Sequence, residues 1–268
     1  MKNRSVLVAI LATYIGGIST AQENDGGARI LSAYHGLDEL PARANLLCGM
    51  NIAGQDGMPL TFSVQIDGDS IGVENFAVET AAGESVTPLC ATLRPAFEAL
   101  ENRTVLLVGP FGTEQAPPRA VEIVGELTDA GGNSLQGLRK ENITALAAGP
   151  SLTYAERFAS DQAGLENECP QSAAQAILLT WEGGVTGPQG TALGEQQRTA
   201  ISVTLADGSS VIPISLGDDD PDNHVVACIA ESSPATLVNV DAGFFHDPGD
   251  DANPATEVSV VDKFHSAR

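Results

Sequence analysis

Short apolar runs of four to seven residues, alternating or continuous, recur along the chain between turn residues. The clearest runs are 60–66, 104–108, 121–124, 176–181, 201–205, 211–216, 224–228 and 236–240. Val and Ile are frequent in these runs, and Gly, Asn, Asp or Pro interrupts them about every ten positions, as in sandwiches and barrels. Helical periodicity is weak and is confined to 38–47 and 195–199. The pattern predicts an all-β fold.

Three pairs of segments match each other in the same order along the chain. They are Leu60-Thr61-Phe62 with Leu179-Thr180-Trp181, 81–88 with 206–213, and 125–131 with 243–249. The offsets of 119, 125 and 118 positions stay nearly constant. Gly and Pro at fixed places mark equivalent turns, because they satisfy positive or fixed φ angles at little cost. The matches therefore indicate two similar domains.

The duplication divides the chain into five parts and bears on its cysteines. The predicted parts are a signal peptide (1–21), a lead-in with a short helix (22–58), the first domain (59–140), a linker (141–170) and the second domain (171–263). An even number of cysteines in an exported chain favours disulfides, for which three pairings are possible in principle. The repeat selects one bridge in each domain, Cys48–Cys90 and Cys169–Cys228.

A resemblance to a known family is carried by the segment 121–135. Its alternating strand and its turn from Asp129 to Leu135 resemble the closing strand and turn of bacterial Ig-like domains. The segments 62–64 and 75–78 are similar to the opening strands of that family. The resemblance covers about 60–138, and it is weaker over 175–262. It implies two tandem Ig-like β-sandwiches of the surface-layer or adhesin type, each with a disulfide that ties a lead-in segment to its own domain.

The first 21 residues have the composition of a secretory signal peptide. A basic start is followed by an apolar stretch from Val6 to Ile18 and by the small residues Ser19 and Ala21. The apolar stretch is shorter than the ~20 residues that span a bilayer. We therefore expect cleavage after Ala21 and a soluble periplasmic or secreted protein without membrane insertion.

The net charge limits the kinds of partner. It is −22 for the whole chain, with 13 basic and 35 acidic residues, and loss of Lys2 and Arg4 with the signal peptide takes it to −24. A surface of this sign repels phosphate backbones and anionic lipid. It excludes nucleic acid as the expected partner and favours cations, cationic partners or solubility alone.

Two acidic loops in the second domain are the candidate metal site. Their possible oxygen ligands for Ca²⁺ are Asp218, Asp219, Asp220, Asp222, Asn223, Asp247, Asp250, Asp251 and Asn253. Because antiparallel strands reverse direction at each turn, the loops 182–200, 217–223 and 243–255 should lie at one end of the domain. Asp, Asn and Gly are also ordinary turn formers, and His224 with His246 would suit a transition metal at the same end.

Sequence motifs for catalysis are missing. The chain contains no Gly-x-Ser-x-Gly elbow and no phosphate-cradling glycine motif, and its cysteines are assigned to disulfides. We therefore expect no catalytic residues and an exported, non-enzymatic protein that binds an unknown protein or envelope partner and is stabilised by Ca²⁺. The alternative is a metal-assisted hydrolase that uses the acidic loop end of the second domain.

Overall fold

The computed structural model describes residues 27–264 except 97, 166 and 218–221. The predicted signal peptide and three of the predicted Ca²⁺ ligands, Asp218, Asp219 and Asp220, lie outside the described residues. Strands make up 39% of the chain and helices 9%, so the predicted all-β class is confirmed. Among the described residues, none belongs to a helix that is both long and apolar enough to cross a bilayer.

Eight strands between residues 30 and 141 form two four-stranded sheets. They are β1 (Ile30–Ala33), β2 (Asp56–Phe62), β3 (Phe76–Glu79), β4 (Ser85–Val86), β5 (Cys90–Thr92), β6 (Thr104–Gly109), β7 (Ala120–Ile123) and β8 (Arg139–Glu141). The strand orders are β1-β2-β6-β5 and β4-β3-β7-β8. Buried side chains of both sheets, such as Phe62, Phe76 and Leu107, form one hydrophobic core.

Eight further strands repeat this order in the rest of the chain. They are β9 (Leu152–Ala159), β10 (Gln175–Trp181), β11 (Ile201–Leu205), β12 (Ser210–Val211), β13 (Ser215–Gly217), β14 (His224–Ile229), β15 (Ala235–Val240) and β16 (Thr256–Asp262). They form one sheet in the order β12-β11-β15-β16-β9-β10-β14-β13. Residues from both ends of this sheet share a core in which Trp181 packs against Phe245 at a centroid distance of 4.5 Å.

A parallel pairing explains why the second set of strands forms one sheet, whereas the first set forms two. Strand β16 runs parallel to β9, with Val260 opposite Ala155, and so joins two four-stranded halves into one sheet. In the first half, the corresponding join is a single parallel bridge between Tyr34 and Thr144. The two strand sets therefore have the same order and differ in the length of one pairing.

The duplicated turns also have the same hydrogen bonds. Asp129 Oδ1 accepts from the backbone N–H groups of Gly131 at 2.9 Å and Asn133 at 2.8 Å. Asp247 Oδ1 accepts from those of Gly249 and Asp251, both at 2.9 Å. A carboxylate that satisfies two orphan donors holds the turn without outside help. These bonds explain why this Asp-x-Gly spacing recurs in the sequence.

Several predicted elements differ from the structure for local reasons. The predicted strand 211–216 is divided into β12 and β13, because Pro213 has no N–H to donate and the chain leaves one edge of the sheet for the other. The predicted helix 38–47 is reduced to a 3₁₀ turn (Ala42–Ala44) and α1 (Asn45–Cys48), since Pro41 is extended and Gly49 ends the helix at φ 64°. The second helix, α2 (Glu195–Thr199), has the predicted bounds.

The segment treated as a linker, 141–170, contains the strand β9. This strand lies between β16 and β10, in the interior of the eight-stranded sheet. Its charged residues Glu156 and Arg157 are only 3% and 4% exposed. Charged side chains at buried positions hide the apolar pattern by which a strand is recognised. The sequence pattern therefore does not predict β9.

Both disulfides join the expected cysteines. Cys48 is bonded to Cys90, 42 positions away, and Cys169 to Cys228, 59 positions away. The first ties helix α1 of the lead-in to the edge strand β5, and the second ties the segment before β10 to β14. Each bridge closes a long loop and so reduces the entropy of the unfolded chain.

Removing the first disulfide tests this contribution. The double substitution Cys48→Ala with Cys90→Ala is expected to lower the free energy of unfolding by about 4 kcal/mol, the loop-entropy value for this separation. Urea unfolding followed by tryptophan fluorescence measures it. The wild-type protein with both disulfides reduced should be less stable than this variant, and equal stability of the variant and the oxidised wild type would contradict the prediction.

Candidate metal centre and the acidic loop end

The loops that follow β10, β13 and β15 meet at one end of the second strand set. Thr186 and His246 exchange two backbone hydrogen bonds of 2.8 Å, and the Val185 N–H donates to the Asp222 carbonyl at 2.8 Å. The Gln189 N–H donates to Asp250 Oδ1 at 2.7 Å. The described parts of all three loops are thus held together, as the strand directions predict.

Most described polar side chains predicted as Ca²⁺ ligands are used to hold these loops. Asn253 Oδ1 accepts from three consecutive N–H groups, those of 243–245, and its amide donates to the carbonyls of Asp241 and Pro254. The Asn223 amide donates to Thr104 Oγ1 and to the Trp181 carbonyl. Asp250 lies 2.9 Å from His246 Nδ1 and is half exposed. Ca²⁺ binding by the acidic loops stays a prediction.

Asp247 contacts the first set of strands through Tyr34. Its Oδ2 lies 2.6 Å from the Tyr34 hydroxyl, which is also 2.7 Å from the Ala148 carbonyl. Tyr34 has no exposed surface, and its ring approaches Gly183 so closely that a Cβ there would lie 2.6 Å from it. Burial raises the pKa of Asp247, although the Tyr34 hydrogen bond opposes the shift.

Glu182 is a second buried carboxylate in this interface. Its Oε1 accepts from Thr144 Oγ1 at 2.9 Å, and its Oε2 accepts from the Ser151 N–H at 3.2 Å. Burial raises the pKa of Glu182 more than these hydrogen bonds lower it. Thr144 belongs to the first half and Ser151 to the second, so this carboxylate also ties the halves together.

An ion pair connects the two halves on the other side of the interface. Arg103, in the loop before β6, lies 2.5 Å from Glu156 Oε2 on β9. Its guanidinium also donates to the Phe62 carbonyl at 3.2 Å and lies 4.5 Å from the centre of the Tyr154 ring. The Asn223 amide donates to Thr104 Oγ1 at 2.9 Å, so the residues that begin β6 and β14 lie face to face.

A group of three buried side chains lies between these strand starts. Glu101 comes from the first half, and Asp222 and His224 come from the second. One possible ligand atom of each lies within 4.8 Å of the others. Their exposed fractions are 5%, 4% and 1%. Nitrogen and carboxylate oxygen together suit a divalent transition metal.

His224 is neutral in these surroundings. Burial lowers its pKa to about 3, and the positive charge of Arg103 acts in the same direction. Its Nδ1 lies 3.8 Å from Asp222 Oδ1, too far for a hydrogen bond. Within the described part of the chain, neither ring nitrogen has a hydrogen-bond partner.

His224 lies at the predicted end of the domain, but its neighbours differ from those that the sequence predicts. His246, the predicted second histidine ligand, pairs with Asp250 instead. Glu101, which lies 123 positions before His224, is not among the predicted ligands. No sequence spacing signals that contact, because it depends on how the two halves pack.

Two cavities open beside the group. The smaller, of about 140 Å³, is lined by Thr104, Asp222 and Asn223 together with apolar residues of the lead-in. The larger is a groove of about 790 Å³ between the lead-in and the acidic loop end. Both are lined by Leu37, Leu47 and Pro248, so they are neighbours.

Comparison with known proteins adds no family to this description. No protein-family model matches the chain, and no curated protein is significantly similar to it.

The Tyr34–Asp247 contact predicts a pH-dependent effect on stability. Tyr34→Phe removes the hydrogen bond that stabilises the buried carboxylate, so the pKa of Asp247 should rise further. A raised folded-state pKa contributes stability that is lost as pH rises through it. The variant should therefore lose about 1–3 kcal/mol near neutral pH and less in acid.

Urea unfolding of Tyr34→Phe at about pH 7 and at about pH 4, close to the ordinary carboxyl pKa, measures this difference. Tyr154→Phe is the matched control, because the ring of Tyr154 faces the Arg103 guanidinium in the same interface. Its effect should not change between the two pH values. An equal loss at both pH values for Tyr34→Phe would contradict the role given to Asp247.

Proposed function

We propose that this chain is an exported, non-enzymatic binding protein made of two tandem Ig-like sandwiches. The strand orders support the fold assignment. With the first set of strands lettered A, B, C, C′, D, E, F and G, its sheets read A-B-E-D and C′-C-F-G, the arrangement of Ig sandwiches. The second set repeats these orders. Two disulfides and the signal-like start support export to the periplasm or beyond the cell.

The groove between the lead-in and the acidic loop end is the observation that carries the binding role. Its lining combines leucines of the lead-in, such as Leu40 and Leu46, with the half-exposed carboxylate of Asp250 and the basic side chain of Arg43. Leu46 is 80% exposed. An apolar surface rimmed by charge is typical of a protein-binding site.

The chemistry of the groove defines the kind of partner. An extended segment that has an apolar side chain next to Lys or Arg would fit this groove. The apolar side chain would be buried against the leucines, and the Lys or Arg would lie near Asp250, which is half exposed. The charge of −22 favours such a cationic partner and disfavours a second copy of this chain. We therefore propose a protein segment of basic and apolar character, on an envelope or extracellular protein, as the ligand.

Selection from a random peptide library tests the proposed ligand. Selected peptides should be enriched in Leu, Ile or Phe next to Lys or Arg, and their affinity should weaken with salt. Leu46→Asp should lower that affinity about tenfold or more, as loss of an anchoring contact does. Ile212→Asp, which replaces an apolar residue 48% exposed outside the groove, should leave it unchanged. Acidic consensus peptides, or binding insensitive to Leu46→Asp, would contradict the proposal.

A metal-assisted hydrolase is the second candidate, and one observation favours it. The smaller cavity, of about 140 Å³, gives access to Asp222, which belongs to the buried group with His224. A hydrolytic metal site needs such a pocket and an open coordination position. The binding role is preferred because the groove is larger and its exposed Leu46 has no use in hydrolysis.

Hydrolysis assays separate the two candidates. Under the binding proposal, the protein incubated with Zn²⁺ should not increase the hydrolysis of nitrophenyl esters or nitrophenyl phosphate above that of Zn²⁺ alone. The Asp222→Asn variant should give the same rates as the wild type. Metal-dependent turnover that disappears in Asp222→Asn would favour the hydrolase instead.

A further inference from the structure

His224 is a buried polar side chain whose hydrogen-bonding groups are not satisfied by the rest of the described chain. It is the first residue of β14 and 1% exposed, and both ring nitrogens are without hydrogen-bond partners among the described residues. Its backbone N–H is satisfied separately, by Asp222 Oδ1 at 2.7 Å. A buried polar group of this kind requires an explanation, since native proteins leave few unsatisfied.

Two carboxylates lie next to this imidazole. A ligand atom of Glu101 and one of Asp222 each lie within 4.8 Å of a His224 ring nitrogen and of each other. Carboxylates this close repel when both are ionised and desolvated. A divalent cation between them would relieve the repulsion and would give the imidazole nitrogen a partner.

The carboxyl groups beside this imidazole match the charge of a divalent ion. Glu101 and Asp222 supply two of them. The Arg103 guanidinium is paired with Glu156 at 2.5 Å, with the Phe62 carbonyl and with the Tyr154 ring. The donor set distinguishes the ion, because an imidazole nitrogen favours Zn²⁺ and its neighbours over Ca²⁺ and Mg²⁺.

We propose that Glu101, Asp222 and His224 form a transition-metal centre between the two halves of the protein, with Zn²⁺ as the representative ion. Glu101 lies in the loop before β6, and the other two ligands lie at the corresponding start of β14. One ion would therefore bind both strand sets and fix one against the other. This centre differs from the predicted acidic-loop Ca²⁺ site, because Asp222 is the only residue that the two have in common. It also does not depend on the proposed peptide binding in the groove.

Metal titration of the intact, disulfide-bonded protein tests the centre. After treatment with a chelator and its removal, the wild type should bind one Zn²⁺ in competition with a chromophoric chelator. His224→Gln, Asp222→Asn and Glu101→Gln should each lower the affinity more than the roughly 10- to 100-fold caused by losing an outer hydrogen-bond partner of a metal ligand. Zn²⁺ should also raise the melting temperature of the wild type.

Two histidine variants are matched controls. His35 is equally buried, with both ring nitrogens unpartnered among the described residues, but it faces one carboxylate, Asp56 at 3.7 Å. His246 pairs with Asp250 in the acidic loops. His35→Gln and His246→Gln should keep the wild-type affinity. Zn²⁺ bound equally by His224→Gln, or lost only in His246→Gln, would overturn the proposal.

A measurement on the wild type covers the possibility that a ligand variant does not fold. Co²⁺ should give visible d–d absorption of low-coordinate, nitrogen- and oxygen-ligated metal, saturating at one equivalent and displaced by Zn²⁺. Circular dichroism reports the fold of each variant. Absence of a saturable Co²⁺ spectrum and of Zn²⁺ competition in the wild type would also overturn the proposal.

Discussion

The contact between Arg103 and Glu156 is the interaction on which the arrangement of the two halves depends. Both groups are almost fully buried, at 2% and 3% side-chain exposure. A buried charge without its partner costs several kcal/mol, so neither half can keep its charge in this position alone. The pair therefore requires the halves to pack with β9 against the loop that leads into β6.

Several polar side chains pair directly across the interface. Tyr34 meets Asp247, Thr144 meets Glu182, and Asn223 meets Thr104, all through direct hydrogen bonds. Such contacts contribute little net stability each, but they allow one geometry rather than many. The orientation of the two halves affects binding, because the groove lies between the lead-in of the first half and the loops of the second. The shape offered to a partner is thus set in part by polar contacts beside the leucines, since Asp247 itself lines the groove.

The second half uses its Asp and Asn residues in two different ways. Asp247 and Asn253 satisfy backbone N–H groups and hold the turns. Asp222 also accepts from a backbone N–H, but it lies beside Glu101 and beside the His224 imidazole, whose nitrogens have no hydrogen-bond partner in the described ranges. Acidic composition alone does not separate these cases. The distinction is burial next to a side chain whose polar atoms lack partners.

The sequence by itself determined the features that depend on neighbours along the chain. Strand periodicity predicted the all-β class, matched turns predicted the repeat and the cysteine pairs, and strand parity predicted which loops meet. Strand β9 and the group formed by Glu101, Asp222 and His224 were decided by tertiary structure alone. Buried charges such as Glu156 read as surface residues until a partner from the other half is in place. Residues 123 positions apart acquire a common role only when two cores are packed together.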